Sequence, residues 1–257
     1  MQKMYRYCLM LCIGFATIAF AGCNKLEDYI ENNPLSTYDR CRVSSMTYSF
    51  LSNVIGVTIN YNAYGDPVSI VQTQSGTGHP DGIFRYDNKR RLKDYIGVYA
   101  GGGSFEFWHK YYYDNKGRIV RDTTYTLGNI VNDAPADYYG QSVTTYEYDK
   151  YGRVSYTKHV WLDTPEFPYE TIYTYDAKGN LAKPGLVYDN KISINRTHRI
   201  WMFITRNYSL NNAWATAWND DKLPTAMTLN SEGGNFAGFY YGNLDNIAYQ
   251  CKGDSPF

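Results

Sequence analysis

The sequence predicts an all-β fold: a long antiparallel meander of repeated hairpins curling into a barrel or half-barrel, with an irregular or short helical segment near residues 192–221. Three observations predict it. Tyrosine supplies 28 of 257 residues and glycine 22, a composition that suits strands and turns better than helices. A segment of the form aromatic-x-aromatic-Asp, closed a few residues later by Gly, recurs along the chain. Between recurrences, apolar and polar side chains alternate. With 44% hydrophobic residues there is enough apolar material for a core, which excludes a disordered chain. The balance of 25 basic and 25 acidic residues, without a basic stripe, excludes an electrostatic nucleic-acid binder.

From the N-terminus, Lys3 and Arg6 precede an apolar run over residues 9–20, closed by Ala21, Gly22 and Cys23. Residues 1–22 read as a cleaved export signal, because the run falls short of the ~20 residues a membrane span needs. Phe20-Ala21-Gly22-Cys23 resembles the bacterial lipobox, with Phe20 where Leu is usual. The resemblance implies cleavage before Cys23 and a lipid thioether on its sulfur, so that the membrane is a partner. Several acyl chains at about 0.8 kcal/mol per buried CH₂ make such an anchor effectively permanent. Residues 23–37 then form a lipidated tether and residues 38–257 a single β domain.

Cys8 and Cys12 leave with the signal, so the exported domain keeps Cys41 and Cys251. They either pair, stapling the first strand region to the last, or stay as two buried thiols.

The repeats open with Phe84-Arg85-Tyr86-Asp87, Tyr111-Tyr112-Tyr113-Asp114, Tyr146-Glu147-Tyr148-Asp149 and Tyr173-Thr174-Tyr175-Asp176, with a looser copy over residues 61–68 marked by Gly65. Positions 65, 90, 117, 152 and 179 mark the turns, at steps of 25, 27, 35 and 27 residues, a hairpin period. Asp87, Asp114, Asp149 and Asp176 accept backbone N–H bonds at the start of each turn, and Gly117, Gly152 and Gly179 take the positive φ at its end. Arg90 stands where glycine is expected, which predicts a looser or differently shaped turn. Aromatic residues two apart share a strand face, and Leu92/Ile96/Val98 and Val154/Tyr156/Val160 continue the alternation. A sheet of this many strands curls or closes to cover its apolar face.

These Tyr-Asp-x-x-Gly-Arg turns resemble YD-type repeats, known from much larger secreted shell proteins. Together with the lipobox and the segments Tyr188-Asp189-Asn190-Lys191, Tyr208-Ser209-Leu210-Asn211-Asn212 and Leu223-Pro224-Thr225, they resemble a family of gut-anaerobe lipoproteins of unknown function. The resemblance implies a porin-like fold and lipid anchoring to the outer membrane of a Gram-negative bacterium, on either face, and it carries no catalytic residues.

Beyond residue 192 the rhythm fails. An apolar run over residues 200–204 and the helical spacing of Trp214 and Trp218 predict a helical or irregular core plug, followed by closing strands.

No residue pattern assigns a catalytic site, cofactor or metal. His79, His109, His159 and His198 are isolated in sequence and read as solvated or core histidines, and Asp220-Asp221 as a polar turn. Glu147, Glu166 and Glu170 are available as a carboxylate pair, but sequence spacing does not give their separation. Trp108 and Trp161, beside the hairpins, are the candidate ligand platform, against the simpler reading that they pack the sheet. The expected function is a non-enzymatic binding or structural envelope module whose partner is a glycan or another envelope protein. A carbohydrate-binding surface lipoprotein is the alternative, ahead of a glycan hydrolase or an integral outer-membrane barrel.

Overall fold

A computed structural model describes residues 33, 35–50, 52–230 and 234–252. Among the described residues, fourteen strands form one antiparallel sheet. In chain order they are β1 (Cys41–Phe50), β2 (Asn53–Tyr61), β3 (Pro67–Gln72), β4 (Asp81–Tyr86), β5 (Leu92–Val98), β6 (Ser104–Tyr113), β7 (Ile119–Val131), β8 (Ala134–Ala136), β9 (Gly140–Tyr148), β10 (Val154–Trp161), β11 (Tyr169–Ile172), β12 (Ala215–Trp218), β13 (Pro224–Leu229) and β14 (Gly242–Cys251). A 3-10 turn over Ile194–Thr197 leads into one short helix, α1 (Arg199–Thr205).

The strand order is β11-β10-β9-β7-β6-β5-β4-β3-β2-β1-β14-β13-β12, with β8 paired to β7 alone. The expected closure into a barrel or half-barrel does not occur: among the described residues, β11 and β12 each pair on one side only, and no strand joins them. The porin-like fold and the integral outer-membrane barrel fall with it, since a membrane barrel admits no open edge. Two features make closure unnecessary. Both edge strands are four residues long, too short to template much pairing. The apolar face is covered instead by the plug. Trp201 of α1 is fully buried edge-on to Phe84 of β4 and tilted against Phe236, while Phe203 packs on Tyr111 of β6 and Tyr146 of β9.

The helix lies earlier than the tryptophan spacing suggested. Trp214 precedes β12 and Trp218 ends it, both partly exposed, because four-residue spacing on a strand also returns a side chain to one face. Asp189 accepts bonds from the Asn212 backbone N–H and the Trp218 indole, so the Tyr188-Asp189 pair clamps the plug instead of turning a hairpin.

The turn residues act as a unit. Asp87, Asp114 and Asp149 each accept from backbone N–H groups two and four residues on, and bind the Nε of Arg91, Arg118 and Arg153. Asp176 accepts the same two backbone bonds, from Lys178 and Asn180. Gly117, Gly152 and Gly179 have φ of 77°, 81° and 78°. Arg90 takes φ 59° in the same position, and its turn is not looser: Asp87 N–H to Arg91 O is 2.9 Å, the same as Asp114 N–H to Arg118 O. The Arg90 guanidinium lies 4.3 Å over the Tyr64 ring, which offsets the strain.

A bulge beside the turn shifts the register, between Arg85 and Tyr86, Tyr112 and Tyr113, and Val154 and Tyr156. The expected common face for Leu92, Ile96 and Val98 is therefore broken. Leu92 joins the main core, while Ile96 and Val98 join Phe105 and Trp108 in a second cluster. The 35-residue step reflects the extra β7–β8 hairpin.

Candidate ligand-binding cleft

The hairpin turns at Asp87, Asp114 and Asp149 gather at one end of the sheet with Cys41 and Cys251, where the chain enters β1. Toward the opposite end, beyond α1, lies a cleft of about 330 Å³. Phe107, Tyr95 and Tyr240 supply aromatic walls, and polar groups cross its floor.

Register places those polar groups together. Tyr111 of β6 stands opposite Asp122 of β7, which stands opposite Thr144 of β9, which stands opposite His159 of β10. His109, two residues before Tyr111, and Tyr146, two after Thr144, share that face. His109 Nδ1 is 3.0 Å from Asp122 Oδ2 and 2.8 Å from Thr124 Oγ1. Thr124 donates its hydroxyl to Asp122 Oδ1 at 2.8 Å, so its oxygen is left to accept and Nδ1 of His109 carries the proton shared with Asp122 and Thr124. Tyr146 donates to Asp122 Oδ2 at 3.2 Å. His109 also stacks parallel to Tyr95 and Tyr111, with centroids 6.0 and 6.1 Å away.

Asp122 is 1% exposed. Burial pushes its carboxyl up, but the His109 ring, the bonds from His109 and Thr124, and the Arg206 charge outweigh it and hold the group below the ordinary carboxylate range. Burial, with Asp122 beside it, raises the Tyr146 phenol, which stays a donor. Burial pushes His159 down.

Arg206 follows α1 with φ 53°, its backbone N–H capping the helix on Met202 and Phe203 carbonyls. Its side chain lines the cleft with the guanidinium carbon 5.9 Å from the Tyr146 ring centre, and Nε is buried without a hydrogen-bond partner. Gln72 Oε1 and His79 Nδ1, also lining the cleft, are buried and unpartnered too. Gln72 is held by its Nε2 donating to the Pro80 carbonyl at 2.7 Å.

Of the residues singled out from sequence, His79, His109, Tyr111 and Tyr146 line the cleft and the others lie elsewhere. Cys23 and residues 1–22 fall outside the described residues. Of the 23–37 tether, Ser36 is docked: its carbonyl accepts from the buried Arg196 at 2.7 Å, and Leu35 reaches Gly152. Cys41 and Cys251 are directly opposed in the β1–β14 register and form a disulfide. The group of Cys41, Asp221 and Cys251 has metal-like spacing, but both sulfurs are consumed by that bond. Trp108 is not a ligand platform. It is 1% exposed, donates to Asp94 at 2.9 Å under Arg85, and lies on the sheet face opposite Trp161. Trp161, 39% exposed, sits edge-on to His159. Glu170 pairs with Lys158 at 3.5 Å, and neither it, Glu147 nor Glu166 lines the cleft.

Sequence reading passed over Asp122, Arg206 and Gln72, and took His79 and His109 as solvated or core histidines and Tyr146 as a core ring of the repeat. One signal was present: His109 and Thr144 occupy the parity that otherwise carries tyrosine, and a polar group on a core parity asks for a partner.

No protein-family model matches the chain, and no curated protein matches it. Among solved structures, the chain is similar to the crystal structures of TcdB2-TccC3-Cdc42 (14% identity, TM-score 0.31), TcdB2-TccC3 without its hypervariable C-terminal region (14%, 0.30) and TcdB2-TccC3 (13%, 0.26). Each match covers 76% of this chain. The chain spans about a tenth of the length of those proteins, 10% of the first two and 11% of the third.

Proposed function

We propose that this protein is a non-enzymatic, lipid-anchored envelope module that binds a small polar ligand, of carbohydrate type, in the cleft beside Arg206. The observation that carries the reading is that three buried side-chain atoms without partners, Gln72 Oε1, His79 Nδ1 and Arg206 Nε, line one cavity walled by aromatic rings. Buried polar groups are almost always paired, and a pocket with a few convergent polar groups is the usual form of a small-molecule site. Aromatic walls suit the apolar faces of sugar rings. The cleft lies toward the end of the sheet away from the chain's entry into β1, so a lipid on Cys23 leaves it facing outward.

The test is a glycan-array screen of the full-length protein, followed by titration of any hit against Tyr240→Ala and Trp161→Ala. Binding lost at least ten-fold with Tyr240→Ala and kept with Trp161→Ala supports the cleft, and the reverse pattern moves the site to the end of β10. Intact mass of the native protein checks the anchor: a diacylglyceryl-sized adduct on Cys23 is expected, and an unmodified mature N-terminus removes it.

A second reading, proton abstraction from a bound glycan, is favoured by the His109–Asp122 pair, in which a carboxylate holds Nδ1 and leaves Nε2 as the base that takes the proton. Product release from a bound glycan that disappears in His109→Ala selects this reading over simple binding.

A further inference from the structure

We infer that the ligand of the cleft is an acidic saccharide of the uronic acid class, its carboxylate received by Arg206 and its hydroxyl groups by Gln72 and His79. This rests on the binding reading above and adds the charge of the ligand. Arg206 is the cation of the cleft, and it has no carboxylate within 4.0 Å among the described residues. The neighbouring acids are committed elsewhere. Asp122 has both oxygens occupied by His109, Thr124 and Tyr146, and Glu106 accepts from the Gly78 backbone N–H at 2.7 Å and the Tyr99 hydroxyl at 3.2 Å.

A buried N–H donor without an acceptor is unfavourable, and a ligand carboxylate placed against Arg206 Nε supplies the missing acceptor through a charge-assisted bond. Arginine suits carboxylate because its planar fork matches the two oxygens. Gln72, less than a tenth exposed, presents a fixed carbonyl oxygen that accepts only from a donor such as a sugar hydroxyl. A donor-free carboxylate such as acetate satisfies Arg206 and leaves Gln72 unpaired. A neutral sugar does the opposite. Only a ligand carrying both groups satisfies the set.

The experiment is calorimetric titration of the full-length protein with D-glucuronate and D-galacturonate, against D-glucose, D-galactose, acetate and inorganic phosphate at one ionic strength. At least one uronate is expected to bind ten-fold or more tightly than its neutral counterpart and than either simple anion. Arg206→Gln is expected to cut that preference to under two-fold, with Arg206→Lys retaining part of it, and Gln72→Met to weaken uronate and neutral sugar alike. The wild-type comparison decides the matter even if a variant fails to fold. Neutral sugars binding as tightly as uronates overturn the inference and leave the binding reading standing. Phosphate or acetate matching the uronate overturns it in favour of a plain anion site. Absence of heat with every probe overturns it as well, and the glycan-array screen then judges the broader reading separately.

Discussion

Tyr148 donates its hydroxyl to the main-chain carbonyl of Ile119 at 2.5 Å, tying the end of β9 to the start of β7. The same bond recurs from Tyr113 to Leu92, Tyr86 to Pro67, Tyr61 to Val43 and Tyr249 to Pro224. In each case the tyrosine closing one strand reaches a residue at or near the start of the strand beside it. The turn arginine completes the tie: Arg91 lies over Tyr113, Arg118 over Tyr148 and Arg153 over Tyr175, at 4.3, 5.0 and 3.9 Å. The repeat is thus a coupling device between neighbouring hairpins, with its Asp holding the arginine that stacks on the next tyrosine. Tyr148→Phe removes the bond and strands a partly buried carbonyl, so a loss of about 1–3 kcal/mol is expected in urea unfolding. A change below about 0.3 kcal/mol would show that the bond contributes nothing net.

Gly117 has φ 77° and open space where a β-carbon would stand, with no atom within 4 Å. Gly117→Ala therefore meets backbone strain alone and should cost about 1 kcal/mol. Arg90→Gly relieves a similar strain but forfeits the stacking on Tyr64, worth about 0.5–1 kcal/mol. It should come out near neutral. Thermal melts of the two variants side by side check both values.

The Cys41–Cys251 disulfide closes a loop across a sequence separation of 210 residues. On the loop-entropy model a cross-link of that span constrains the unfolded chain by about 5 kcal/mol. Cys41→Ser/Cys251→Ser should lower the denaturant midpoint and leave the β-sheet circular dichroism unchanged. Reducing and non-reducing mass spectra should differ by two hydrogens.

Stability should fall in two stages on acidification. Burial lowers His159 and His198 below the ordinary 6.5, so between that value and the folded one the unfolded chain binds more protons, and stability drops as pH falls. Asp66, bonded by His198, and Asp122 are held below the ordinary 3.8. The stability they contribute is present above that value and lost as pH falls through their folded values. Melting temperatures from pH 8 to pH 2.5 should show both descents, with His159→Gln and His198→Asn flattening the first. A level profile between pH 8 and 5 contradicts the histidine assignment.

Much of the fold was legible because its determinants are neighbours in sequence. Asp87 and Gly117 mark turns by stereochemistry confined to five residues, and Tyr146 and Tyr148 share a face because a strand has period two. The β1–β14 junction was less legible, since Cys41 and Cys251 sit at the two ends of the chain and their pairing depends on where the last strand docks. The face of Ile96 was misjudged because a bulge one turn away inverts every side chain after it. Trp108 follows the reading that it packs the sheet and not the ligand-platform one: the face opposite the plug carries a small core of its own, which composition cannot reveal.

The sequence alone determined the all-β class, the hairpin period and the chemistry of each reversal, because these arise from local dihedral preferences and from bonds spanning two to four residues. Tertiary structure alone decided that the sheet stays open, because Trp201 and Phe203 cover the apolar face that closure would otherwise have to hide. It also brought His109, Asp122 and Arg206 to one cleft. Their meeting depends on register summed across several strands and on the docking of a helix far along the chain from β7, and no local pattern encodes either.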